Sequence, residues 1–597
     1  MLDKMPAGGN YQLLNVMYAK PGPEIGWDKD HVVLVYRDED TNEKRVQVID
    51  DPKFTWHINR EDTWLKTPVR AVQPQDVDAI TSLYRDRFRD MAEELDLMAF
   101  YNEKRKSGNR YLWNQLHLNY NVHGTDTDIR DYFIAQFLDR YPYEGKLNKL
   151  TKGYYDIEVN QNDFDGTFPD EHYAPCPIDL ITVFFDQDMT CHTFALVFED
   201  NPQMMALDED AFNAKTVERI RAETGDTITS EIHWHYDELE MIKAFFDLVD
   251  EKAPDYMLAW NAKFDLLTLI NRINQLGARM STDDIVRVLG ITERQASGKD
   301  RITPADIMCS KRIPIQIPPY FKEDTRTQEH ADKNEMFDCS SMAIWIDQLI
   351  AYAQLRKVSG KKDSYALNAI AEDELKAKKD VMPPGANIRN INLVDYEAFV
   401  SYNINDVILL YRLEKKNKDM EQLHNLGLMT QTRVQRAMAK TVCLKNFFSK
   451  FCKIQGWIMS NNRNQTYGKE GPPSDKFLGA FVADPNMNMP AGADMGNGRR
   501  SRYLFENVID MDLSSLYPSI ILACNIDVGT QMGKLLFDTY DHVAADGTRF
   551  TMETEESKER AASFCDSMAS RDMAAIGNKY FGLPSVEDMV KEVALCL

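Results

Sequence analysis

The chain has no Cys-x-x-Cys pair among its nine cysteines. That absence excludes paired-thiolate zinc ribbons, and the odd count, scattered from Cys176 to Cys596, argues against a disulfide framework. No apolar run approaches the roughly 18 residues of a membrane span. The opening Met1-Leu2-Asp3-Lys4-Met5-Pro6 lacks the basic-then-apolar order of a secretory signal. Together these absences predict a cytoplasmic protein with reduced, packed thiols and no membrane partner. Positive charge is also scarce: 70 Lys and Arg against 94 Asp and Glu leave a net charge of −24. Broad phosphate-binding surfaces draw on Lys and Arg, so this balance weighs against a wholly electrostatic nucleic-acid binder. Two routes to nucleic acid stay open, namely carboxylates loaded with metal ions and local basic stretches such as Lys146 to Lys152 and Arg499-Arg500-Ser501-Arg502.

What is present is ordinary globular material, 43% apolar and 27% charged, in a chain of 597 residues. That length exceeds what one hydrophobic core serves, so three or four domains are expected. Residues 1–150 read as a mixed α/β domain, with a strand at His31-Val32-Val33-Leu34-Val35-Tyr36. A helix is predicted over Ile80 to Asp96, with Leu83, Phe88 and Met91 on one side. The stretch Gly124-Thr125-Asp126-Thr127-Asp128 reads as a solvated turn.

The organising feature is Gly153-Tyr154-Tyr155-Asp156-Ile157-Glu158-Val159, a segment suited to a buried strand yet carrying two carboxylates. Strand side chains alternate between faces, so Asp156 and Glu158 point the same way. Paired carboxylates on a core face repel and lose solvation unless a cation compensates, and oxygen ligands suit Mg²⁺ or Mn²⁺. For an isolated pair of this kind, an edge strand with its acidic face in water is the favoured explanation.

A β-hairpin is predicted from Ile178 to Phe185 and Cys191 to Phe198 around Asp186-Gln187-Asp188-Met189. A helix follows over His233 to Asp250, then a short strand Tyr256 to Trp260, then a helix carrying Leu266, Leu269, Ile270 and Ile273 and closed by Gly277. This order implies a mixed sheet flanked by helices. Residues 278 to about 345 read as an insertion. Between the short strand and its helix lies Trp260-Asn261-Ala262-Lys263-Phe264-Asp265, which alone reads as a helix cap. The helical segment Asp395 to Lys416 places Tyr402 and Asp406 four residues apart on one face, which alone reads as a surface hydrogen bond.

Taken together, Asp156, Glu158, Asp265, Asp406 and Tyr402 supply four carboxylates and a phenol. Four carboxylates suffice to hold two divalent ions for phosphodiester hydrolysis. D-x-E, N-x-x-F-D and Y-x-x-x-D in this order resemble the three motifs of the 3′→5′ proofreading exonuclease of family B DNA polymerases. Ser364-Tyr365-Ala366-Leu367-Asn368-Ala369-Ile370 resembles the stretch before the third motif in the T4-like bacteriophage polymerases. The second motif has two residues between Asn and Phe where the T4-like pattern has three.

The resemblance implies an α/β multidomain protein with an RNase H-like exonuclease domain. It implies that Asp156, Glu158, Asp265 and Asp406 bind metal, that Tyr402 orients the attacking water, and that Asn261 and Phe264 contact a single-stranded 3′ end. Phe477-Leu478-Gly479-Ala480-Phe481-Val482 resembles the family's template-contacting loop, which makes Gly479 and Ala480 DNA-contact candidates. Val508 to Ile521 contains Asp512-Leu513-Ser514-Ser515-Leu516-Tyr517-Pro518-Ser519, which resembles polymerase motif A. By that resemblance Asp512 holds metal, Ser515 and Leu516 meet the dNTP phosphates, and Tyr517 packs beneath the sugar. Asp510 falls outside the motif and is left unassigned.

The fingers motif K-x-x-x-N-S-x-Y-G and the D-T-D strand are not found after motif A. Asn578-Lys579-Tyr580-Phe581-Gly582 is a faint echo of the former, with Ala574 in place of Lys. The expected layout is an N-terminal domain (1–150), the exonuclease domain (151–417), a helical return segment (418–470) and a partial palm (471–597). The expected function is that of a split bacteriophage polymerase in the host cytoplasm, using two Mg²⁺ or Mn²⁺ ions per site. Its expected partners are DNA, dNTP, a second chain with the missing motifs and, through that chain, a sliding clamp. A stand-alone 3′→5′ exonuclease and a non-catalytic structural subunit are the alternatives.

Overall fold

The computed structural model describes residues 8–22, 26–65, 69–107, 114–166, 168–377 and 383–461, with short pieces between 539 and 563. The template-loop candidates Gly479 and Ala480, the motif A candidates Asp512, Ser515, Leu516 and Tyr517, and the Asn578 to Gly582 echo lie outside the described residues. The chain divides into two compact units, one of residues 1–63 and 73–459, the other of residues 64–72 and 460–597. In the second unit, Thr539–Val543 pairs antiparallel with Arg549–Glu553. Among the described residues no helix is long and apolar enough to cross a membrane.

The first unit opens with an antiparallel meander of Tyr11–Ala19, His31–Asp38 and Glu43–Asp50. The middle strand is buried along its whole length because its alternating residues serve two different cores. Val33 and Val35 join the core beneath the large sheet, whereas Val32, Leu34 and Tyr36 face a core local to the N-terminal region. A second small sheet sets Lys53–Asn59 between Val77–Leu83 and Val122–His123. Part of the helix expected from Ile80 is therefore strand, and the helix runs only over Arg87–Glu94. The strand wins because Ile80 stands opposite Trp56, whose indole donates to Ser82 Oγ across the ladder (3.1 Å).

The turn expected at Gly124 to Asp128 is present but only partly solvated, with Thr125 buried, and it leads into a pinned helix start. Asp128 caps Ile129–Arg140 through the Arg130 backbone N–H, and its carboxylate also receives the Arg130 side chain at 2.8 and 2.7 Å. Lys445 holds Asp126 at 2.8 Å.

The large sheet has six strands in the order Thr229–His235, Thr190–Leu196, Ile178–Phe185, Lys152–Val159, Tyr256–Ala259 and Ile344–Asp347. Only Ile178–Phe185 runs against the rest. The five strands from Thr190–Leu196 to Ile344–Asp347 thus have the RNase H-like arrangement, extended by Thr229–His235 at one edge. The helix expected from His233 begins only at Glu238, because His233 to His235 are taken into this edge strand.

Alternation divides the core into two faces. Tyr154, Leu180, Phe184 and Leu258 lie on one, under the long helix Tyr396–Asn417; Tyr155, Ile157, Val183 and Met257 lie on the other, under Glu238–Lys252 and Ala262–Leu276. Gly153 stands opposite Met257, where a Cβ would come within 2.5 Å of the Met257 sulfur, so the strands can approach only without a side chain there.

Residues 278–345 are not a peripheral insertion. Ile285, Val288, Ile307, Phe321, Phe337 and Trp345 are buried in the second face's core, and Ile344–Asp347 is the sheet's last strand. Farther on, helices Asp419–Thr430 and Lys440–Ile454 reach back to the N-terminal region, with Leu428 in its core and Met420, Leu423 and Cys443 in the first face's core. A buried ionic pin ties the N-terminal meander to the large sheet: Asp255 accepts two hydrogen bonds from Arg37 Nη2 at 2.8 Å, pairs with Lys44 at 2.8 Å and accepts the Thr151 N–H at 2.8 Å.

Candidate active site

Asp156 and Glu158 sit on the Lys152–Val159 strand opposite Thr182 and Leu180, on the face covered by the Tyr396–Asn417 helix. Both are half-buried in the middle of the sheet, so the open edge strand that would have made them innocuous is not the observed setting. The strand Tyr256–Ala259 runs parallel beside them and turns at Asn261 into the helix Ala262–Leu276. That turn delivers Asp265 in the first turn of the helix, 3% exposed.

Burial pushes the Asp265 carboxyl well above the usual carboxylate range, and the charges of Asp156, Asp347 and Glu158 push it further the same way. Its Oδ2 is buried and accepts no hydrogen bond from the described residues. Four carboxyl groups therefore crowd one another, and the most buried has an oxygen with no donor among the described residues. A divalent cation with oxygen ligands relieves both problems at once. The residues present therefore fit Mg²⁺ or Mn²⁺.

The crossing helix Tyr396–Asn417 carries Tyr402 and Asp406. Asp406 is 5% exposed, and Asn403, with no exposed surface, donates from Nδ2 to Asp156 Oδ2 at 2.8 Å. This bond fixes the 402–406 turn against the carboxylate strand. Tyr402 is half-buried and lines a 470 Å³ cleft with Lys215, Arg219 and Ser401. Its place on that wall is set by the helix, one residue around from Asn403.

Asn261 occupies the N-cap position but its side chain makes no capping bond; it is exposed, with φ 66° and ψ 48°. Asn tolerates that left-handed conformation better than most residues, which accounts for its presence at the turn. Phe264 is half-buried, its ring centroid 5.2 Å from the exposed Phe168. Between them, Lys263 pairs with Glu171 (3.0 Å) and Glu323 (2.8 Å), which raise it to about 12 against the opposing effect of burial.

Two residues at this site escape a reading of the sequence. Asn403 is one; its signal is a cluster of buried polar residues, Asn403, Asn405 and Asp406, inside an otherwise apolar helix. Asp347 is the other, at the end of the Ile344–Asp347 strand. Its carboxylate caps the following helix by accepting the Leu349 (2.9 Å) and Ile350 (3.2 Å) N–H groups. Burial raises it to about 7, opposed by those N–H groups and by the Asn261 N–H. Asp347 also adds negative potential at Asp265. An apolar run ending in Asp before a helix is a readable cap signal.

Residues 113–331 match the family described as DNA polymerase family B, exonuclease domain. The DNA-directed DNA polymerase of Escherichia phage RB69 is 23% identical over 413 residues, 68% of this chain and 38% of that protein. That of Enterobacteria phage T4 is 23% identical over 417 residues, 68% of this chain and 39% of that protein. The DNA polymerase of Thermococcus litoralis is 24% identical over 316 residues, 52% of this chain and 15% of that protein. The matched region thus spans less than half the length of these polymerases.

Proposed function

We propose, from the premise that this chain carries the exonuclease domain of a family B DNA polymerase, that it removes nucleotides from the 3′ end of a DNA strand. The observation that carries the proposal is Asp265: a buried carboxyl beside Asp156 and Glu158 whose Oδ2 has no donor. Asp156, Glu158, Asp265 and Asp406 would hold two Mg²⁺ or Mn²⁺ ions, which when bound supply a nucleophilic hydroxide and charge stabilisation of the leaving 3′ oxygen.

The chain's own groups do the positioning. Asn403 holds the Asp156 carboxylate in one rotamer. Tyr402 offers a hydroxyl to orient the water that attacks phosphorus. Phe264, with Phe168 beside it, offers a ring surface on which a terminal base can stack, and Asn261 offers an exposed amide to the same strand. The test is degradation of a 5′-labelled single strand. Asp406→Ala should abolish the 3′-shortened ladder in Mg²⁺ while leaving the melting profile near that of the parent, and an undiminished ladder would refute the assignment.

For nucleotide addition we propose that Asp512 holds metal while Ser515, Leu516 and Tyr517 receive a dNTP, with Gly479 and Ala480 against the template. That activity would need a fingers helix and a second carboxylate strand, whose sequence motifs are not found after motif A. A second chain could supply them and could bring a clamp with it. In a mixture that extends a primer, Asp512→Ala should abolish extension and spare 3′-end degradation, because the two sites use different carboxylates. Extension that survives Asp512→Ala would refute the motif A assignment.

A further inference from the structure

We propose that His192, Glu231 and His233 form a second metal site, selective for a Zn²⁺-class ion, that clips the Thr229–His235 edge strand to the sheet. The two strands run parallel, with His192 opposite Glu231 and Phe194 opposite His233. His192 shares its row with Val183 and Tyr155, whereas Asp156 shares the next row with Thr182 and Thr193. Neighbouring rows project to opposite faces. The cluster therefore lies on the other face of the sheet from the Asp156 and Glu158 carboxylates, and it has a different donor chemistry.

The geometry is that of a closed triangle. His192 Nδ1 lies 3.0 Å from His233 Nε2 and 3.5 Å from Glu231 Oε2, and His233 Nε2 lies 3.9 Å from Glu231 Oε2. Bonds of about 2.0–2.1 Å in a tetrahedral Zn²⁺ site place neighbouring ligand atoms roughly 3.3 Å apart. The observed sides bracket that value. Two imidazoles joined by a simple N–H···N bond would need no third group, yet the Glu231 carboxylate converges on the same point.

The rings are held in place. His233 stacks on Phe194 with centroids 4.9 Å apart, and His192 is buried with its ring 6.3 Å from that of Phe185. Glu231 and His233 keep part of their surface open, which leaves room for a water as fourth ligand. Two imidazoles and one carboxylate favour Zn²⁺, Co²⁺ or Ni²⁺ over Mg²⁺, which prefers an all-oxygen shell.

An edge strand is where such a clip has most effect, since among the described strands it pairs with a single neighbour. The test uses the full chain, stripped with chelator and kept in excess Mg²⁺ so that oxygen sites are filled. Titration with Co²⁺ should give one equivalent with the intense visible absorption of four-coordinate cobalt, discharged by Zn²⁺, and Zn²⁺ should raise the melting temperature. His233→Ala and Glu231→Ala alter partly exposed residues. Each should weaken Zn²⁺ binding by more than the roughly 10- to 100-fold that loss of an outer-shell partner costs. Asp265→Asn should keep the cobalt band. Absence of the band, its survival in both ligand variants, or its loss in Asp265→Asn would each overturn the proposal, and none of these readouts depends on nuclease activity.

Discussion

Replacing Asn403 by Leu would remove the side-chain amide that donates to Asp156, at nearly constant volume. The lost bond is 2.8 Å long, its donor has no exposed surface, and its acceptor is a carboxylate. Hydrogen bonds to charged groups contribute about 1.5–3 kcal/mol, and each 1.4 kcal/mol is a factor of ten in an equilibrium. If the bond serves to hold Asp156 ready for a cation, that energy should appear in metal affinity. The half-saturating Mn²⁺ for 3′-end degradation should then rise roughly 10- to 100-fold, the range set by outer-shell partners. The rate at saturating Mn²⁺ should fall much less. The assay is single-turnover degradation of a 5′-labelled strand over a Mn²⁺ series, with circular dichroism confirming the fold. An unchanged Mn²⁺ dependence in a folded variant would show that the Asn403 bond is structural only.

Asp265 sets the sign of a pH effect in metal-free protein. Its folded pKa is raised, so the folded chain binds this proton more tightly than the unfolded chain. The contribution is fully present below the unfolded value of about 3.9 and is lost as pH rises through the folded value. Asp265→Asn should therefore be more stable than the parent at alkaline pH in EDTA, with the difference shrinking toward pH 4 and no further stabilisation by Mn²⁺; urea melts that show the opposite slope would refute the burial argument. Asp255→Ala strands Arg37 and Lys44 without their shared carboxylate, so a loss of about 3–5 kcal/mol in urea unfolding is expected, and a loss below about 1 kcal/mol would mean the pin is dispensable. Tyr402→Phe should slow degradation roughly 10- to 1000-fold at an unchanged melting temperature, and a change in stability alone would make it a packing residue.

The site was legible where chemistry conflicts with local context. Two carboxylates in a run of Tyr, Ile and Val mark the Lys152–Val159 strand without any knowledge of the fold, because alternation alone puts them on one face. Asp265 was legible through its spacing from Asn261, although the local role expected of Asn261 was not: it sits at the cap position without capping. Asn403 and Asp347 were hidden because each looks like routine helix chemistry until the sheet and the crossing helix are brought together. The same limit accounts for Ile80 and His233. Both begin stretches with helical spacing, and both are taken into strands by long-range partners, the Lys53–Asn59 strand in one case and Thr190–Leu196 in the other. Residues 278–345 looked irregular because their short elements have little periodicity of their own, and only burial against the second face reveals them as core.

The central claim is that the carboxylates at Asp156 and Glu158 serve phosphodiester hydrolysis through bound cations. It is tested most directly by changing both to Ala and following a 5′-labelled single strand in Mg²⁺ and in Mn²⁺. Loss of both should remove the shared ligands and lower the rate by several orders of magnitude, with the ladder abolished equally by EDTA in the parent. Near-parental, metal-dependent shortening by the double variant would contradict the account.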